Sequence, residues 1–151
     1  VFWSGMANIF KSVVTLIIAA DIFWKGLIGL GFIDGLLAAT EGLGFAALGI
    51  GVVTTVLIFA ASMLMGSGNA SFFAFGPLVP NVAAKLNIDA TYLILPMQLS
   101  ASMGRAVSPI SGVVIATAAI AKVSNIDIAK RNFIPLVISL IFMLVYHNTV
   151  G

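Results

Sequence analysis

From Phe45 to Met65 the chain carries no charged side chain. A helix of that length can cross the hydrocarbon core of a bilayer, which takes roughly 20 apolar residues. This stretch is one of four apolar blocks separated by short polar breaks. The first block, 9–32, reads as a transmembrane helix with Asp21 and Lys25 inside it. A connector over 33–44 follows, holding Asp34 and Glu41 and no basic residue. The third block runs from Tyr92 to Ala121, and the last covers 133–147.

Composition decides what solvent such a chain meets. Charged residues make up 8% of it and hydrophobic ones 61%, against about 25% charged in ordinary soluble domains. Too few charges exist to cover a soluble surface, so the expected fold class is an all-α integral membrane protein with a lipid bilayer as partner. The net charge of +2, from dispersed basic residues, gives no basis for a nucleic-acid partner. Absence of cysteine removes disulfides and thiolate metal sites. The chain opens Val1-Phe2-Trp3 without an initiator Met and without the features of a signal peptide. It is expected to be the C-terminal portion of a larger protein, working with the missing N-terminal part.

Two interruptions stand inside apolar sequence. The run Gly66-Ser67-Gly68-Asn69-Ala70-Ser71 has low helix propensity and turns cheaply. The apolar piece after it, Phe72 to Ala84, is ~20 Å long as a helix, short of the ~30 Å core, and contains Pro77 and Pro80. The economical expectation is a re-entrant hairpin over 45–84 with its tip at 66–71. The second interruption, Ser100 to Pro109, splits the 92–121 block into two half-helices. Pro109 suits the first position of a new helix and disfavours helical geometry at Ser108, which makes Ser108 the expected N-cap. Basic residues orient the whole: Lys122, Lys130 and Arg131 belong in the cytoplasm, which puts 85–89 and the 33–44 connector outside.

Non-helical backbone survives at membrane depth only where protein or a water-filled cavity surrounds it. Two such breaks, rich in small hydroxyl and amide residues, point to a transporter site built from broken helices. The positive ends of half-helices starting near Asn69 and Pro109 would face an anion. The competing explanation is close packing through small residues. Arg105 lies 13 positions after Tyr92 and 16 before Ala121, ~20 Å from either end of a straight helix. Intramembrane cations are costly, and a guanidinium fork matches a carboxylate in two-point geometry. A fixed salt bridge to an acid in the missing part is the alternative. Asp21 and Lys25 stand i,i+4 in the favourable order, as a self-neutralising pair or a coupling site. His147 is expected at headgroup level, and Trp3, Tyr92 and Tyr146 as interfacial anchors, with Trp24 packed deeper. There is no nucleophile–base pair, HExxH or phosphate loop, so no enzyme is expected.

Three runs carry a resemblance. They are Phe2-Trp3-Ser4-Gly5-Met6-Ala7-Asn8; Met65 to Pro77 around Gly66-Ser67-Gly68-Asn69; and Leu95-Pro96-Met97-Gln98 through Ser102-Met103-Gly104-Arg105-Ala106-Val107-Ser108-Pro109. In them the chain resembles the anaerobic C4-dicarboxylate carriers of the DcuC type over nearly its whole length. The resemblance implies a multi-pass bacterial inner-membrane carrier of succinate, fumarate, malate or aspartate, working by exchange, uptake or efflux. It implies no cofactor, coupling to protons or sodium ions, and room for a homodimer. It also implies one half of an inverted-repeat fold, each repeat holding a re-entrant hairpin and a broken helix. In divalent-anion members of the larger group a Ser-Asn-Thr tip binds a cation and a substrate carboxylate. The matching Gly68-Asn69-Ala70 keeps the Asn and loses both hydroxyls, which leaves sodium coupling open. The candidate substrate residues are Ser67, Gly68, Asn69, Ser71, Ser102, Gly104, Arg105, Ser108 and Pro109, with Asp21 and Asn69 as candidates for ion coupling. A channel-like or structural membrane subunit is the alternative function.

Overall fold

The computed structural model describes residues 2–32, 34, 35, 38 and 46–150, and its regular elements are all helices. They are α1 (Phe2–Gly29), α2 (Ala46–Met65), α3 (Gly68–Phe75), α4 (Leu78–Leu86), α5 (Ala90–Ala106), α6 (Gly112–Ala121) and α7 (Asn125–Val150). Two of them are long and apolar enough to cross a membrane, over Leu48–Met65 in α2 and Asn125–Thr149 in α7. Most of the 33–44 connector, Glu41 included, lies outside the described residues, as does the side chain of Trp24.

Both polar breaks are tighter than the sequence implied. At the first, only Gly66 and Ser67 leave the helical path. Gly66 takes φ +68°, a left-handed value that suits a residue without Cβ. Ser67 is extended and its Oγ accepts the Ala70 N–H at 3.2 Å. That cap starts α3 at Gly68, so Asn69, Ala70 and Ser71 are helical rather than part of a loop. The second arm therefore occupies Gly68–Leu86 as two helices, not 72–84. The helix is interrupted at Gly76-Pro77, where Gly76 N–H bonds Phe72 O and Pro77 has no donor to give.

At the second break α5 runs on through Ser100 and Ser102 to Ala106. Helix there is tolerable because both hydroxyls bond back within the helix, Ser100 to Met97 O (2.9 Å) and Ser102 to Gln98 O (3.2 Å). The gap is 107–111, and the N-cap of α6 is Ser111, not Ser108. Pro109 sits in a turn in which Ser111 N–H donates to Ser108 O at 3.2 Å. Its fixed φ suits the second position of such a turn as well as it suits a helix start.

The core lies between α2, α4 and α5, where Ile50, Ile58, Leu78, Val79, Val82, Leu93 and Met97 are fully or almost fully buried. A second cluster, Phe59, Val107 and Leu140 with Met63, Met103 and Leu136 around them, ties the break to α2 and α7. α2 and α5 touch backbone to backbone. A Cβ on Gly104 would stand 2.4 Å from Phe59 O, and Ser62 Oγ donates to Ala101 O at 2.6 Å. α7 runs antiparallel to α5: His147 reaches Tyr92, while Asn132 reaches Ala106.

Candidate functional site

The two breaks, separated by about forty residues of sequence, meet. A Cβ on Gly66 would come within 2.9 Å of Ile110 Cγ1 and 3.1 Å of Ile110 O. One on Gly68 would come within 2.7 Å of Ala101 O and 3.5 Å of Ser102 N. The α2–α3 corner is thus pressed against the end of α5 and the turn beyond it, and the absence of side chains at both glycines permits the approach.

What this junction leaves unsatisfied is chemically specific. Ser108 and Ser111 are buried, and neither Oγ has a hydrogen-bond partner among the described residues. Buried hydroxyls are ordinarily paired, because an unmade bond costs on the order of 1–3 kcal/mol. Ser111 is also the N-cap of α6 yet makes no side-chain cap bond. The first N–H groups of α6 therefore lack the side-chain cap that Ser67 gives α3, and carry partial positive charge. Nearby carbonyls, by contrast, are occupied: Ala106 O accepts from Asn132 Nδ2 at 3.1 Å and Pro109 O from Asn125 Nδ2 at 2.7 Å. The break thus combines two open hydroxyls with two occupied carbonyls.

The other sequence candidates fall into three groups. Ser67 and Ser71 act within α3: Ser67 Oγ accepts from Ala70 N–H and keeps its own proton to donate, while Ser71 Oγ donates to Gly68 O at 3.0 Å. Gly68 and Gly104 are contact points for backbone. Asn69, Ser102 and Arg105 are exposed on this chain, and no ion pair joins Arg105 to another described residue. Its level also differs from the sequence estimate. Asn125 and Asn132 bring the start of α7 back to Pro109 and Ala106, so α6 does not prolong the line of α5. Arg105 stands at the height of Asn132, next in sequence to Arg131, and so nearer the basic end of α7 than midway.

Asp21 is not at this junction. It pairs with Lys25 at 2.8 Å and lines a separate groove of about 390 Å³ with Phe72, Phe73, Gly76 and Ile94. A further cavity of about 440 Å³ between α1, α2 and α3 is walled by Phe23, Leu64, Ala70, Ala74 and Phe75 and offers an anion no side-chain donor. His147, expected at headgroup level, is half-buried. Its ring lies 4.5 Å from that of Tyr92, and its Nε2 is 2.8 Å from Tyr92 O. Asn125 and Asn132 were not singled out from sequence. They stand among Asp127, Lys130 and Arg131 at the polar start of α7, where an amide draws no notice.

A model of the C4-dicarboxylate anaerobic carrier family matches residues 1–149. The "Probable anaerobic C4-dicarboxylate transporter DcuC" of Vibrio cholerae is 41% identical over 143 residues, 95% of this chain and 31% of the relative. The anaerobic C4-dicarboxylate transporter DcuC of Escherichia coli K12 is 38% identical over 145 residues, 96% of this chain and 32% of the relative. The chain spans about a third of the length of these curated relatives. No solved structure matches it.

Proposed function

The chain belongs to the C4-dicarboxylate anaerobic carrier family, and from that premise we propose that it builds one half of the substrate site of a secondary transporter for C4-dicarboxylates. The supporting observation is the pair of unpartnered, buried hydroxyls of Ser108 and Ser111 at the uncapped start of α6. A dianion needs converging donors and few competing acceptors. Two hydroxyls, the α6 amides and the hydroxyl of Ser67 provide the first, and the Asn125 and Asn132 bonds occupy two of the carbonyls that would compete. In this proposal Arg105, open on this chain, takes the other carboxylate in a two-point fork.

In this reading α2 and α3–α4 form a re-entrant hairpin, and the missing N-terminal part supplies an inverted copy that completes the site. The protein is then a multi-pass carrier of the bacterial inner membrane, with the homodimer and the coupling ion, proton or sodium, as further parts of the proposal. Asp21 enters coupling only if its pair with Lys25 opens.

The test uses the full-length carrier in liposomes. Labelled succinate inside should exchange for external fumarate and show counterflow, which a channel does not give. Ser108→Ala and Ser111→Ala should each weaken apparent affinity about tenfold or more. In the substrate-free protein they should leave thermal stability unchanged or raise it, because each removes an unsatisfied buried group. Unchanged affinity in both variants would overturn the site.

A further inference from the structure

Helix α7 is apolar and long, yet three of its side chains reach out to main-chain carbonyls of the α5–α6 unit. Asn125 Nδ2 donates to Pro109 O (2.7 Å), Asn132 Nδ2 to Ala106 O (3.1 Å), and His147 Nε2 lies 2.8 Å from Tyr92 O. Since a carbonyl can only accept, His147 must carry its proton on Nε2. The three carbonyls have something in common. In an unbroken helix Ala106 O and Pro109 O would pair with N–H groups four residues on, at Ile110 and Val113. The gap at 107–111 removes that geometry from Ala106 and Pro109. Tyr92 O would pair with residue 96, which is Pro96 and has no N–H.

The three donors also share a face. At about 100° per residue, spacings of 7 and 15 place Asn125, Asn132 and His147 within a sector of roughly 60°. We infer that α7 is a donor rail for the broken helix, and that Asn132 is a positioning residue fixing the end of α5, where Arg105 and the Ser108 hydroxyl are presented. By occupying the carbonyls of Ala106 and Pro109, the rail takes two acceptors out of the break. This inference rests on the proposed substrate site, but its structural half does not need transport to be read.

The experiment compares Asn132→Leu, which removes the donor at similar volume, with Asn132→Gln, which keeps an amide donor. Both are made in the full-length carrier. Hydrogen–deuterium exchange over residues 103–113 should rise several-fold in Asn132→Leu and return towards wild type in Asn132→Gln. Apparent KM for succinate should rise about tenfold in the Leu variant with Vmax within twofold of wild type, and the Gln variant should recover it. Unchanged exchange in Asn132→Leu overturns the rail. Raised exchange with unchanged KM overturns the positioning role. Raised exchange in a protein that moves no dicarboxylate keeps the rail and sinks the substrate reading instead. Should Asn132→Leu fail to insert, Asn125→Ala is read in the same way at Pro109, and unchanged exchange there again overturns the rail.

Discussion

Gly104 and Gly112 are both helical glycines, and the space around them differs completely. A methyl on Gly104 would lie 2.4 Å from Phe59 O and 2.8 Å from Ser62 Cβ, whereas a methyl on Gly112 meets nothing within 4 Å. Backbone cannot swing aside as a flexible side chain can. Gly104→Ala should therefore push α2 from α5 and cost roughly 1–3 kcal/mol, read as a lower melting temperature of the intact carrier. Gly112→Ala should be neutral or slightly stabilising, since Ala is the better helix former. Equal melting temperatures would show that the two helices are not in backbone contact. Arg105 is tested by charge and shape separately. Arg105→Lys keeps the charge and loses the fork, so insertion should be normal while affinity for a dicarboxylate falls further than for a monocarboxylate. Arg105→Ala should lose more, because truncating one partner of a desolvated charge pair costs roughly 2–5 kcal/mol. Wild-type affinity in both variants would remove Arg105 from the site. Arg105, Ser108 and the tip glycines were legible because a charge, a proline or a glycine cluster interrupts apolar sequence. Asn132 and His147 were not, because what they bond to is a carbonyl freed elsewhere in the chain. Only the pairing of Pro96 with the residue four before it hints at the second.

At the scale of elements, caps decide where helices begin, and they shifted both expected boundaries. Ser67 takes the cap of α3 and draws Asn69 and Ser71 into helix. Asp89 does the same for α5, with Thr91 N–H donating to its Oδ1 at 2.7 Å. Bonds from the Thr91 side chain and then from its backbone N–H hold the exposed Asp89 carboxyl below the usual carboxylate range. A depressed folded-state value means that the charged cap's stabilisation is fully present above the unfolded carboxyl's range. It is lost as pH falls through the lowered value. Amide exchange at the first turn of α5, compared with Asp89→Asn, should give a constant ratio from pH 5 to 8. It should diverge only under strongly acidic conditions, where the Asp cap weakens and the Asn cap does not. A ratio that changes near neutrality would mean that Asp89 is not the cap. The two half-helices of the break were readable from Pro109, but its choice between turn and helix start was not, because the same φ serves both.

For the whole molecule, side-chain bonds between distant elements fix which ends lie together. The Lys85 ammonium pairs with Asp34, so Asp34 and the α4–α5 corner share one end. Tyr92 OH donates to Asn148 Oδ1 at 2.7 Å, which brings the end of α7 to that same level. Asn125 and Asn132, on the other side, hold the start of α7 at the break. Asp34, Lys85 and Asp89 mark the first end, while Lys122, Asp127, Lys130 and Arg131 mark the second. In the proposed orientation the excess of basic residues puts the second end in the cytoplasm. The hairpin expectation rests on a short second arm, whereas the arm extends over Gly68–Leu86. The tip itself is pressed on Ala101 and Ile110, a contact that a re-entrant arm and a fully crossing one share, and labelling separates the two. A membrane-impermeant maleimide added to intact cells should label Asn87→Cys and Thr149→Cys at once, both residues being exposed. Val123→Cys, equally exposed, should react only after permeabilisation. Asn69→Cys, at a tip flanked by α5, should react slowly and from a single face. If Asn69→Cys instead reacts as fast as Val123→Cys and from the same side, the two arms cross the membrane completely and the re-entrant form fails. If Asn87→Cys and Thr149→Cys react from opposite faces, the antiparallel pairing of α5 with α7 fails with it.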